Sequence, residues 1–201
     1  YSFNNGNTYT YDTIKRNINI NDSLIFTFKT PVNLSNPGYY NVKIKINWPL
    51  DDYSANDLLS TQVFAIPTYS LPVTDDFEGA TSFWTAGGEE YSWEIGTPGS
   101  EHINTTYSGA KAWKTNRTFF YNSFEDSYVE SPCYDINDTS KVIIELAQNR
   151  IIESGDGSAI YYTIDNGQTW TKVPDHTYSW TWNWYNNTSI ELLGGSGWDG
   201  N

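Results

Sequence analysis

Apolar and polar side chains alternate over residues 39–48, where Val42, Ile44 and Ile46 interleave with Lys43, Lys45 and Asn47. A period of two places one set on each face of a strand, so this stretch predicts a strand with one buried face. Tyr9, Tyr11 and Thr13 alternate in the same way, and Leu24-Ile25-Phe26-Thr27-Phe28 follows the turn signal Asn21-Asp22. Asn36-Pro37-Gly38 and Pro49-Leu50-Asp51-Asp52 bracket the 39–48 strand, and Gln62-Val63-Phe64-Ala65-Ile66 is a further strand before Pro67. Residues 1–69 therefore read as one unit, with too few strands to close a sandwich on its own.

Pro67-Thr68-Tyr69-Ser70-Leu71-Pro72 is Pro-flanked and aperiodic, which predicts a linker. Strands of a second unit, 70–201, are expected at 76–78, 93–95, 111–113, 127–134, 141–147, 159–164 and 169–173. Gly87-Gly88, Thr97-Pro98-Gly99, Gly155-Asp156-Gly157 and Asp165-Asn166-Gly167 are the breaks between them. Asn166-Gly167 is a hairpin signal, because both residues accept the positive φ of the primed turns. The Gly-rich end, Gly194-Gly195-Ser196-Gly197-Trp198, reads as a loop. No segment keeps a helical period over three turns, so the fold class is all-β.

Composition sharpens this picture. Aromatic residues are 17% of the 201-residue chain, while charged residues are also 17%, below the roughly 25% of an average soluble protein. Packed sheets with many polar turns account for both figures. The net charge of −13 repels phosphate backbones and anionic headgroups, which argues against a nucleic-acid partner and favours neutral glycans, cations such as Ca²⁺ or basic protein surfaces. The single cysteine, Cys133, excludes an internal disulfide framework and a multi-cysteine zinc site, and its strand-like setting predicts a small buried hydrophobe. His102 and His176 are far apart in the chain, which makes a transition-metal site a poor expectation. No run approaches the roughly 20 apolar residues that span a bilayer, so membrane insertion is not expected. The chain contains no methionine, even at position 1, which points to a processed or excised segment.

Four strings in the second unit carry a resemblance: Asp76-Phe77-Glu78-Gly79, then Trp113, then Ser127-Tyr128-Val129-Glu130-Ser131-Pro132, then Ile160 through Thr171 with its Asp165-Asn166-Gly167 turn. Asn183-Trp184-Tyr185 and Gly197-Trp198-Asp199-Gly200 extend the series. In this order they resemble the jelly-roll modules of bacterial secreted proteins related to MAM and cleaved-adhesin domains. Phe26-Thr27-Phe28, residues 37–42, Asp51-Asp52 and Asn56-Asp57 make the first unit similar to Ig-like, CARDB-type modules. The resemblance implies an Ig-like β-sandwich followed by a jelly-roll β-sandwich, both incomplete: the first would have two more strands before Tyr1, and the second further strands after Asn201, one carrying a late Asp. It also implies a surface or secreted protein of Bacteroidota exported by the type IX route, as an adhesin or an ancillary part of a protease.

In related modules calcium is held at positions matched here by Glu78 and Asp126, with Asp76 as a further ligand, since a hard cation needs several oxygens. The competing reading is that these are solvated turn and edge carboxylates. Trp180, Trp182 and Trp184 alternate, so on a strand their rings share a face: exposed, they form a platform for sugar rings; buried, they form half of a core. The usual covering of large aromatics favours the core. Asp12-Thr13-Ile14 and Asp22-Ser23-Leu24 match a short pattern of O-glycosylation in Bacteroidota, making Thr13 and Ser23 candidate sites, and Asn33, Asn104 and Asn116 open Asn-x-Ser/Thr triplets. Such triplets also arise by chance in an Asn- and Thr-rich chain.

For catalysis there is no Gly-x-Ser-x-Gly elbow, His-Glu-x-x-His, phosphate loop or Cys–His pairing. The expected function is thus a non-catalytic part of a large extracellular or cell-surface protein, serving adhesion or ancillary interaction with proteins, glycans or flanking domains. Alternatives are a carbohydrate-binding module using the aromatic stripe and, more weakly, a glycoside hydrolase whose carboxylates lie roughly 5 to 9.5 Å apart.

Overall fold

A computed structural model describes residues 1–136, 141–175 and 183–200. The chain is all-β: twelve strands and one short 3₁₀ turn, Ser54–Asn56, are present among the described residues. The strands pair two by two. They fall in two compact units, Tyr1–Thr74 with Thr81–Thr85 and Glu130–Ser140, and Asp75–Ala80 with Ala86–Val129 and Lys141–Asn201.

The first unit is organised by β1 (Gly38–Lys45) and β2 (Leu58–Ala65), antiparallel and in unbroken register from Gly38 opposite Ala65 to Lys45 opposite Leu58. The alternation read in the sequence sets the faces: Tyr40, Val42 and Ile44 share one side with Val63, Thr61 and Leu59, and Val42 is the side chain buried there. The amino-terminal segment covers the other edge of β1. Ser2 and Lys43 exchange backbone bonds of 2.8 and 2.9 Å, and the Asn5 N–H donates to the Asn41 carbonyl. Buried Ser2 holds the turn that follows, its Oγ accepting from the N–H groups of Asn4 and Gly6. Leu24, Phe26 and Phe28 are half-buried while Ile25 and Thr27 are exposed, so the expected alternation is present in burial. Neither this segment nor residues 9–13 joins a ladder: the Thr10 N–H donates to the Tyr1 carbonyl, and the Thr13 N–H to the Asp12 carboxylate.

Two expectations are corrected in this unit. Thr68–Ser70, read as linker, is β3, and it pairs in parallel with β8 (Cys133–Asp135), aligning Tyr69 with Tyr134. Cys133 is exposed, where a buried hydrophobe was expected: β8 is held through its backbone pairing with β3, which leaves the cysteine side chain uncovered by the described residues.

In the second unit β5 (Trp93–Gly96) pairs with β6 (Ala112–Thr115), and β4 (Thr85–Glu89) with β7 (Asp126–Glu130). The Gly87-Gly88 break is in fact inside β4. Gly88 has φ +110°, and a Cβ there would collide with the Asp126 carbonyl, so the two backbones meet only over glycine. The hairpin of β9 (Tyr161–Tyr162) and β10 (Thr171–Lys172) turns at Asn166 and Gly167, with φ of +57° and +82° as the Asn-Gly signal requires. The Gly-rich end is a strand: β12 (Gly195–Gly197) pairs with β11 (Asn187–Ile190), and Trp198 and Ser158 exchange backbone bonds of 2.9 and 2.8 Å. Tyr185, Ile190 and Trp198 form the buried apolar centre. The strands expected at 76–78 and 141–147 form no ladder, and Val142, Ile143, Ile144 and Leu146 are exposed.

Candidate functional site

Asp76 and Glu78 lie together in a tight loop. The carboxylates of Asp75 and Asp76 accept from the N–H groups of Phe77 and Glu78, the local bonding that makes Asp a turn former. The Glu78 Oε1 then accepts the N–H groups of Ala110 at 2.8 Å and Lys111 at 2.6 Å, and the Lys111 ammonium reaches back to the carbonyls of Glu78 and Gly79 at 3.3 and 3.5 Å. Asp126 opens β7 with its side chain exposed. Among the described residues no three carboxylate, thiol or imidazole groups gather where they could hold a metal ion, so Asp76, Glu78 and Asp126 do not form one cluster. Beside Glu78 lies an open hollow of about 330 Å³ lined by uncharged residues, among them Thr97, Asn104, Thr106 and Gly109.

Of the tryptophan stripe, Trp180 and Trp182 lie outside the described residues, as does His176. Trp184 is half-buried and packs against the buried centre of the second unit. Its ring stands 4.8 Å from that of Tyr185 and 5.2 Å, edge to face, from that of Trp198, and its Nε1 donates to the Pro174 carbonyl. Tyr185 completes the group through its hydroxyl, which accepts from the Ile160 N–H at 3.0 Å.

Thr13 and Ser23 are both exposed, and their local geometry repeats. In each case the preceding carboxylate, Asp12 or Asp22, accepts the backbone N–H of the hydroxyl residue at 2.8 Å. That bond also leads the causes that hold the Asp12 carboxyl below its ordinary value.

Three polar clusters escaped the sequence reading. Glu125 accepts four bonds: from the Ser92 N–H and hydroxyl at 3.0 and 2.6 Å, the Asn122 N–H at 2.9 Å and the Ser127 hydroxyl at 2.6 Å. Burial raises its pKa, but the donors of Ser127, Ser92 and Asn122 outweigh burial and lower it. Asp165 clasps its hairpin, accepting from the hydroxyl and N–H of Thr169 and from the Thr163 hydroxyl, which bring its pKa down to about 2. Lys114, buried, gives its ammonium to the carbonyls of Thr115, Asn116 and Phe119, and burial lowers its pKa. The signal available for the second was the spacing Thr163-x-Asp165-x-Gly167-x-Thr169. The first and third pair residues too far apart, or side chain with main chain, and leave no pattern in the sequence. Each of the three ties loop donors or carbonyls to one ionised group and so braces its loop, and Lys114 also lines a small hollow with Ser100 and His102.

With this geometry in place, comparison with known proteins adds one partial likeness. No family model matches the chain. A curated protein, Bacillopeptidase F of Bacillus subtilis (strain 168), is 24% identical over 152 residues, covering 72% of the chain. The aligned part is 10% of that protein, so the chain spans about a tenth of the length of the curated relative it matches. No solved structure matches.

Proposed function

We propose that the chain is a non-catalytic segment of a large secreted or cell-surface protein, acting in adhesion or as an ancillary interaction region. The observation that carries this reading is the amount of apolar surface left uncovered on paired strands. On the β1–β2 ladder Val42 is buried, while Leu58, Leu59, Val63 and Tyr39 on the same ladder are exposed. Surface of that kind marks a place where another protein surface docks. The alignment with a tenth of a peptidase supports the same view, since a stretch of that size fits an accessory region of a long polypeptide. In this reading the units are the Ig-like and jelly-roll sandwiches that the sequence resembles, and their uncovered faces meet flanking modules or the bound partner.

The test is a pair of assays on the chain: binding to immobilised extracellular-matrix proteins and to cell surfaces, and turnover of casein and of polysaccharide substrates. Saturable binding without turnover is expected. Turnover proportional to protein concentration, lost on substitution of a single carboxylate, overturns the reading in favour of an enzyme. Calcium stays in the proposal only as the expectation from the sequence for Glu78, Asp76 and Asp126, which would have to converge to hold it. A rise in melting temperature on adding Ca²⁺, abolished in Glu78→Ala, is expected, and an unchanged melting temperature removes calcium from it. O-linked glycan at Thr13 and Ser23 is tested by peptide mapping of the protein from its native source, and unmodified peptides there reject it.

A further inference from the structure

The two edges of the β1–β2 ladder are treated differently. The outer edge of β1 is covered by Ser2 and Asn5, whereas among the described residues no backbone group bonds the outer edge of β2. The direction of each group follows from the ladder. Ile46 N–H donates to the Asp57 carbonyl in the same register, and Lys43, opposite Ser60, turns its N–H and C=O away from β2 toward Ser2. In an antiparallel pair this parity alternates, so Leu59, Thr61, Val63 and Ala65 bond to β1, while Leu58, Ser60, Gln62 and Phe64 point their N–H and C=O outward.

Exposed edges are normally guarded by charge, proline, a bulge or a covering segment. The strand Leu58-Leu59-Ser60-Thr61-Gln62-Val63-Phe64-Ala65 has no charge and no proline, and its register with β1 does not slip. It is also self-complementary. Antiparallel pairing with a second β2 about a two-fold axis through Thr61 puts Thr61 opposite Thr61, Leu59 opposite Val63, Leu58 opposite Phe64 and Ser60 opposite Gln62. Each pair lies on one face, and each is of a favourable kind: aliphatic with aliphatic or aromatic, hydroxyl with hydroxyl or amide. The same register makes Leu58–Phe64 and Ser60–Gln62 the hydrogen-bonded pairs, which are the residues whose amides are free. Thr61 then falls in a non-hydrogen-bonded pair on the axis.

We propose that the outer edge of β2 is a homodimerisation site, joining two copies through Thr61-centred antiparallel pairing into one sheet in the order β1-β2-β2-β1. A two-fold contact of this sort is closed, since each copy uses the same edge. The occupant is a second copy because a single neutral strand satisfies both sides of the ladder with no like charges opposed. With 13 net negative charges on each chain, the bodies repel while the edge does not, so added salt strengthens the dimer.

The test uses the full chain in a Cys133→Ser background. Sedimentation at micromolar to millimolar concentrations is expected to show a species of twice the 22.9 kDa chain mass, increasing with NaCl. Thr61→Cys is expected to form a disulfide-linked dimer on mild oxidation, because residues paired on the axis have Cα atoms about 4.5 Å apart, within disulfide reach. Val63→Cys, about four residues from its own copy, is expected to stay monomeric. Ser60→Pro removes an outward N–H and leaves the β1 ladder intact, and Thr61→Lys sets two ammonium groups against each other. Both are expected to abolish the dimer while keeping the circular dichroism of the parent. A monomer at all concentrations overturns the proposal, as do equal cross-linking of the two cysteine variants, a dimer that weakens with salt, or a dimer indifferent to a folded Ser60→Pro or Thr61→Lys chain.

Discussion

The β1–β2 ladder and the loops around β5, β6 and β7 achieve order by opposite means. In the ladder, main chain bonds main chain over eight residue pairs, and side chains contribute little burial beyond Val42. Around β5 to β7 the strands are short, and ionised side chains hold the main chain: Glu125 gathers Ser92, Asn122 and Ser127, Glu94 takes the N–H and Nε of Arg117, and Lys114 caps three carbonyls. A ladder leaves an edge with unspent amides, whereas a side-chain brace gathers several loop donors or carbonyls on one ionised group. The first arrangement therefore offers a surface for association, and the second a rigid, self-contained one.

The sharpest way to break the contrast lies in the aromatic centre of the second unit. Trp198→Ala is expected to cost about 3 to 5 kcal/mol of unfolding free energy, read by chemical denaturation, because it empties the space between Trp184 and Tyr185. Glu125→Ala is expected to cost about 2 to 3 kcal/mol, since it strands several donors, and Glu125→Gln less. Tyr185→Phe, which takes the hydroxyl from the Ile160 N–H, is expected to cost about 1 kcal/mol. Arg117→Ala, breaking an ion pair of 2.9 Å that is well exposed, is expected to cost under about 1 kcal/mol. If Glu125→Ala costs no more than Arg117→Ala, buried bracing is not what orders these loops.

Asp165 gives a test in pH. Its native pKa of about 2 lies below the ordinary 3.8, so the ionised carboxylate favours the folded hairpin. That contribution is complete above the unfolded pKa and is lost as pH falls through about 4 toward 2. The melting temperature of Asp165→Asn is expected to fall less steeply than that of the parent over this window, and parallel curves would reject the clasp.

What could be read in the sequence, and what could not, follows the same division. Period-two segments with a partner, such as Val42-Lys43-Ile44 and the Asn166-Gly167 hairpin, were legible because pattern and turn chemistry are local. Residues 24–28 and 141–147 have strand-like patterns, but a ladder needs a neighbour, and a pattern does not supply one. β3, β4 and β12 were hidden by Pro and Gly, read as breaks, although Gly88 serves close approach to Asp126. Of the expected site residues, Asp76 and Glu78 share a loop and Trp184 packs against Trp198, but Glu125 bonds Ser92 across 33 residues. The outward parity of Ser60 and Gln62 exists only once β1 is in place.

The most direct measurement is residue-resolved amide hydrogen exchange on the chain, dilute and concentrated. In dilute solution Thr61 and Val63 should be protected and Leu58, Ser60, Gln62 and Phe64 should exchange freely, with the latter four becoming protected on concentration. Outward amides that are protected even at high dilution would show the edge to be covered within the chain, and outward amides that stay fast when concentrated would contradict its role in association.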